Sequence, residues 1–382
     1  MRQAMDDRTR RHHTPRVLAA VLATAIVALL AVSVAPASAT DFLGAAKKGI
    51  RNARVHWWNP GEHWYNDRLD DRDPFPLATT WSVVPLFEAV DGVAIGQPNS
   101  ANRKAARSFA NVAERYFNGD LAPHGGYSPY KGDRGADNHV WMDDNSWWGQ
   151  AFIDAYRATR NKRYIKDAKT ASDFVDARGW EGGGGNGGMW WESQHQTHSL
   201  EAMAAATALS AELYEVTNNA KYRARAIKYI DWADAHAFSS KNHLYRNSTQ
   251  PIMSYVEGSM IGANLSLCKK GDKASCARME RLAGAARTWW GENVDFGPQF
   301  DTIMFRFLVQ LSAYDRDPRW WDWAKHNGDR ALRNAEAGGL LLKFWDGSGA
   351  LAHQAVISHY GQIQTHTATV ALFGWLAAVP RP

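Results

Sequence analysis

The chain has 382 residues, 45% hydrophobic and 22% charged, with a formal net charge of +5. So apolar a composition excludes a disordered chain, and the lack of a polybasic run interleaved with aromatics argues against nucleic acid as a partner. Five Arg and two Asp lie in the first 39 residues, so the remainder carries +2 and its charge says little about partners.

In chain order, the first element is an export signal. Arg8, Arg10, Arg11 and Arg16 form a basic start, residues 17–34 an apolar run, and Ala37-Ser38-Ala39 a small-residue cleavage site. Cleavage after Ala39 is expected, giving a secreted or cell-wall-associated protein without stable membrane insertion; the alternative is a retained anchor. No linker or low-complexity tract follows, so residues 40–382 are expected to form a single domain. Asp67, Asp70, Asp71 and Asp73 are read as a solvated turn, because they lack the ordered spacing of a calcium loop.

Apolar residues then recur at helical spacing in 102–117, 147–159, 163–175, 199–216, 222–237, 260–267, 277–290, 300–314, 319–332 and 365–378. Ala155-Tyr156 leads to Asn161-Lys162-Arg163-Tyr164, Leu213-Tyr214 to Asn219-Ala220-Lys221-Tyr222, and Ala313-Tyr314 to Asp317-Pro318-Arg319-Trp320. Each reads as a helix end, a polar turn and the next helix start, and the spacing fits about six helical hairpins. The last helix is apolar through Val370, Leu372, Phe373, Trp375 and Leu376, which suits closure against the first helices better than a solenoid's polar cap. The predicted fold is all-α, an (α/α)6 barrel.

Met142-Asp143-Asp144-Asn145-Ser146-Trp147-Trp148 sets two adjacent carboxylates between Trp141 and a Trp pair at a helix start. Glycoside hydrolysis needs one carboxyl to protonate the leaving oxygen and an ionised one to attack or stabilise the anomeric carbon, while aromatic rings offer flat faces to a pyranose. The plainer alternative is that one Asp only caps the helix. Trp190 and Trp191 follow the run Gly182 to Gly188 and one of them is expected to be a sugar platform; most other Trp residues, such as Trp289, Trp290, Trp320, Trp321 and Trp323, read as packing. His195 and His198 lie near this cleft but lack a metalloprotease pattern. His63, His139, His353, His359 and His366 read as structural. Cys268 and Cys276 are expected to close a short disulfide loop in an exported chain. No cofactor and no metal is expected.

The chain resembles glycoside hydrolase family 76, the endo-α-1,6-mannanases and their fungal wall-remodelling relatives. The resemblance is carried by residues 141–148, by Gly187-Gly188-Met189-Trp190-Trp191, by Tyr255-Val256-Glu257-Gly258 with Ile261-Gly262-Ala263, and by 300–307 with Arg306. It implies an (α/α)6 barrel with retaining chemistry, in which Asp143 is the nucleophile and Asp144 the acid/base. Asp143 is then expected to stay ionised at the helix N-terminus and Asp144 to hold a proton. Asn145, Trp147, Trp148, Trp190, Trp191, Tyr255, Glu257 and Arg306 are expected to contact an α-mannan polysaccharide or oligosaccharide. Glu257 and Asp301 depart from the family's pattern and stand either near the cleft or in salt bridges. A monomeric endo-α-1,6-mannanase is the leading expectation. A mannan transglycosylase, a six-hairpin hydrolase of another glycan and a non-catalytic glycan-binding protein are the alternatives.

Overall fold

The computed structural model describes residues 40–69, 77–182, 187–247, 250–349 and 361–382, all within one unit, Thr40–Pro382. The expected export signal, residues 1–39, and Asp70, Asp71, Asp73, Gly183 to Asn186, His353 and His359 lie outside the described residues.

The described residues hold twelve α-helices, paired in one recurring order. An outer helix leads through a short antiparallel ribbon into an inner helix. The first unit is α1 (Phe42–His56), β1 (Trp58–Asn59), β2 (Trp64–Tyr65) and α2 (Thr80–Gly96). Next come α3 (Ser100–Ala113) with a 3-10 turn, β3 (Phe117–Asn118), β4 (Gly126–Tyr127) and α4 (Met142–Thr159). The third unit is α5 (Arg163–Gly179), β5 (Trp180–Glu181), β6 (Gly188–Met189) and α6 (Leu200–Thr217). The fourth is α7 (Ala220–His236), β7 (Phe238–Ser239), β8 (Leu244–Tyr245) and α8 (Ser254–Lys269). In the fifth, α9 (Lys273–Trp290) reaches α10 (Pro298–Asp315) without a ribbon, and the sixth is α11 (Pro318–Asn334), β9 (Glu336–Ala337), β10 (Leu340–Leu341) and α12 (Ile363–Ala378).

Each even-numbered helix packs on the next, and α12 packs on α2, so the inner helices form a closed ring. This is the (α/α)6 barrel expected from the repeated turns. Those turns are left-handed C-caps: Arg160 (φ 62°), Asn218 (φ 56°) and Arg316 (φ 64°) reverse the chain from an inner helix to the next outer one. The inner helices are buried on nearly every side, whereas α3 and α11 are polar on one face. Close approach of the inner helices requires small residues. A Cβ on Gly92 of α2 would lie 2.9 Å from the Gly374 carbonyl carbon of α12, and one on Gly258 of α8 would lie 2.4 Å from Met304 Cα of α10.

The ribbons are tied to the inner helices by one repeated device. Asn145, Glu257 and His366 are each the fourth residue of their helix, and each accepts a backbone N–H from the ribbon before it. Asn145 Oδ1 accepts from Tyr127 N at 2.7 Å, Glu257 Oε1 from Tyr245 N at 2.7 Å, and His366 Nδ1 from Leu341 N at 3.0 Å. Burial pushes His366 down to about 4, leaving it neutral, so Nδ1 can accept while Nε2–H donates to Gly49 O.

The barrel interior carries a buried ion cluster. Arg306 of α10 is fully buried and pairs with Glu88 of α2 at 3.1 Å, Asp154 of α4 at 2.8 Å and Glu212 of α6 at 3.3 Å. One guanidinium therefore ties four inner helices. Cys268 and Cys276 form a disulfide across the turn between α8 and α9. Among the described residues no helix is long and apolar enough to cross a membrane.

Candidate active site

The α4 N-terminus is set by pairing rather than by a side-chain cap. Trp141 is the extended N-cap residue and bridges to Glu192, while Met142 N donates to Trp191 O at 2.8 Å and Ser193 N to Val140 O at 2.9 Å. The helix thus begins five residues earlier than the apolar periodicity predicts, and both aspartates fall in its first turn. Neither is the N-cap residue. The same pairing carries Trp191 to Asp143, whose Oδ2 accepts the Trp191 Nε1–H at 3.0 Å. Asp144 Oδ2 accepts from Thr80 Oγ1 at 3.1 Å, a contact supplied by the first residue of α2.

Both carboxyls open on a cleft of about 550 Å³ walled by Trp81, Trp141, Trp191, His139 and Gln364. That volume suits a ligand of several sugar units' contact area rather than a single ion. Trp141 stacks on His139 with ring centroids 4.3 Å apart, and Gln364 Nε2 donates to Trp81 O at 2.7 Å, fixing two walls. Among the described residues no group of three His, Cys, Asp or Glu side chains is arranged to hold a metal ion.

Burial pushes Asp143 well above the usual carboxylate range, reinforced by the charges of Asp144 and Glu201. Burial also pushes Asp144 up to about 7, partly opposed by the Thr80 hydrogen bond. The expectation of an ionised Asp143 beside a protonated Asp144 thus meets burial that raises both carboxyls. Desolvation works against the helix N-terminal field and raises the proton affinity of both carboxyls. Such neighbours titrate as a pair.

Several residues expected at the substrate belong instead to the scaffold. Asn145 is fully buried, with Nδ2 donating to Tyr127 O and Trp141 O, so it anchors the ribbon. Trp147 and Trp148 sit one helical turn below Asp143 and Asp144, are buried, and form core: Trp148 Nε1 donates to Ala113 O. Trp190 stacks on His195 and His198 at 5.1 and 3.6 Å and does not line the cleft. Tyr255 is buried and donates to Glu201 Oε1 at 2.7 Å. Glu257 is buried against Tyr245 N, and burial pushes it well above the usual range. Arg306 lies in the ion cluster, out of the cleft. Asp301 is held by Ser254 Oγ and Gly297 N. Of the ten residues expected at the catalytic and substrate sites, Asp143, Asp144 and Trp191 line the cleft.

Thr80, Trp81, Glu201 and Gln364 escaped the sequence reading, and His139, read there as structural, lines the cleft. Thr80 and Trp81 open a helix whose apolar pattern runs all round and contains Pro85, so it shows no periodic stripe. The run Thr79-Thr80-Trp81-Ser82, with Thr79 Oγ1 accepting from Ser82 N, was the available N-cap signal.

A closed ring of six helical hairpins, with two adjacent carboxylic acids facing an aromatic-walled cleft, defines a glycoside hydrolase of the (α/α)6 type. The sequence profile of glycosyl hydrolase family 76 matches residues 121–322, more than half of the chain, and the protein belongs to that family. Solved structures agree in fold. A family 76 glycoside hydrolase from a bovine Bacteroides thetaiotaomicron strain is 19% identical with a TM-score of 0.75, covering 88% of this chain and 78% of its own. An α-mannanase of the same family from Bacteroides thetaiotaomicron is 18% identical, with TM-score 0.75 and coverage of 89% and 96%. An inactive α-1,6-mannanase from Salegentibacter, with two consecutive aspartates replaced by alanine and α-1,6-mannotetrose bound, is 14% identical. Its TM-score is 0.71, with coverage of 89% and 100%. No curated protein matches the sequence.

Proposed function

We propose that this glycoside hydrolase is a secreted, retaining endo-α-1,6-mannanase, with Asp143 as nucleophile and Asp144 as acid/base. The observation that carries the reading is the placement of the two carboxyls side by side on an open, aromatic-walled cleft, each held by a different donor. The linkage draws support from the similar Salegentibacter enzyme, whose inactive variant binds an α-1,6-linked mannose oligomer.

In the productive form the proton shared by the pair sits on Asp144, leaving Asp143 ionised against the Trp191 N–H. Asp144 gives that proton to the glycosidic oxygen as the bond from C1 to that oxygen breaks and an Asp143 oxygen bonds to C1. Asp144, now ionised, takes a proton from water as the water oxygen attacks C1 and the ester to Asp143 breaks. Trp81, Trp141 and Trp191 supply the apolar faces on which pyranose rings stack.

The test is product analysis on linear α-1,6-mannan, with NMR of the new reducing ends. Short manno-oligosaccharides released with retained configuration, and lost in Asp143→Asn and Asp144→Asn, are expected. Products longer than the donor would indicate transfer to sugar, and binding without turnover would point to another glycan or a silent binder. Wild-type rates in both variants would remove the pair from the mechanism.

A further inference from the structure

Six side chains mark the second position of the six inner helices: Trp81, Asp143, Glu201, Tyr255, Gln299 and Gln364. Because the inner helices are parallel staves of one ring, these positions share one level at the end of the barrel that holds the catalytic pair. Glu201 is the second carboxylate at this level, on the helix that packs directly against α4.

Glu201 is held tightly and by donors alone. Its Oε1 accepts the Tyr255 hydroxyl at 2.7 Å, and its Oε2 accepts from Gln250 Nε2 and Ser199 Oγ. Gln250 is itself fixed, accepting Leu200 N at 2.9 Å and donating its own N–H to Asn247 Oδ1 at 2.7 Å. Both Glu201 oxygens are engaged, and Glu201 is not among the residues that line the cleft. Three donors thus converge on this one carboxyl and fix its place.

We infer that Glu201 is a positioning residue for the Asp143–Asp144 pair, a fixed and non-reacting negative charge beside Asp143 that sets how tightly the pair keeps its shared proton. The inference rests on the proposed acid/base roles of that pair. The Glu201 charge acts on Asp143 in the same sense as the charge of Asp144. Other charged groups facing the pair come from the loops. Asp67 and Arg68 form an ion pair at 3.1 Å, Asp133 and His139 line the same cleft, and Glu192 accepts the N–H groups of Gln196 and Thr197. None of these is a member of the Tyr255–Glu201–Gln250 clamp.

The sign follows directly. Removing a negative neighbour lowers the pair's affinity for protons, so both limbs of the kcat/KM profile move to lower pH. In Glu201→Gln each limb is expected to shift down by about one pH unit, while Glu201→Asp, which keeps the charge, restores most of the wild-type profile. A fall in kcat with both limbs unmoved would reduce Glu201 to scaffold and overturn the inference. A titration of 13Cγ-labelled aspartate by NMR, assigned with Asp143→Asn and Asp144→Asn, reads the same shift without substrate. Failure of the wild type to cleave mannan would thus strike the proposed function, while an unmoved carboxyl titration in Glu201→Gln would strike this inference alone.

Discussion

Trp191 Nε1 and Asp143 Oδ2 are 3.0 Å apart although 48 residues separate them in the chain. The contact makes one side chain serve two purposes, since the indole ring also faces the cleft and is 39% exposed. A hydrogen bond to an ionised group stabilises it by roughly 1.5–3 kcal/mol.

Trp191→Phe keeps the aromatic face and removes this donor. The kcat on mannan is expected to fall at least tenfold, with a smaller change in KM. The acid limb moves to higher pH, because Asp143 loses a bond that favours its charge. This is the opposite direction to Glu201→Gln, and pH–rate profiles of the two variants separate the effects.

Arg306→Met tests the interior ion cluster. It leaves Glu88 without its cation and Asp154 and Glu212 with Arg157 alone, at 3.0 and 2.6 Å, and breaking such a buried arrangement costs about 3–5 kcal/mol. Denaturant unfolding should show that loss. A variant of unchanged stability with a raised KM would return Arg306 to the substrate site.

Asp91 is fully buried with neither carboxyl oxygen hydrogen-bonded, and burial, with the charges of Asp154 and Glu88, pushes it well above the usual range. The folded state keeps this proton where the unfolded chain loses it, so the group's contribution is fully present below about pH 4 and lost as pH rises through the folded value. Asp91→Asn cannot ionise. The Tm of the variant relative to wild type is therefore expected to climb between pH 4 and pH 8, and a pH-independent difference would contradict this account.

The disulfide closes a loop with a sequence separation of 8. Chain-entropy arguments assign such a loop about 2.5 kcal/mol. Cys268→Ser with Cys276→Ser should lose about that much in denaturant unfolding while leaving kcat unchanged, because the bridge lies at the α8–α9 turn, away from the cleft.

The helices from α3 onward were legible because their turns repeat, although α4 and α8 begin five and six residues ahead of their periodic stripes. The omissions were α1 and α2: α2 is apolar on all sides and contains Pro85, so no stripe marks it. The carboxyl pair could be read because both members sit in one short segment. Its surroundings could not, since the cleft takes Trp81 from α2 and Gln364 from α12, and Asp144 takes its donor from Thr80, all far away in the chain. Asn145, Trp147 and Trp148 show a second limit. Successive helical residues turn by about 100°, so neighbours of Asp143 and Asp144 in sequence face the ribbon or the core. Glu257 and Arg306 are buried and tie elements of the barrel together, so neither reaches the cleft.

The seam between Gly92 and Gly374 joins the second helix to the twelfth. A growing polypeptide can therefore stack its helices in turn but cannot shut its wall until the final stave emerges. Before that moment α2 has one apolar flank without its permanent neighbour, a surface prone to self-association. Premature termination ahead of Ile363 would leave that flank bare and the ring of helices open.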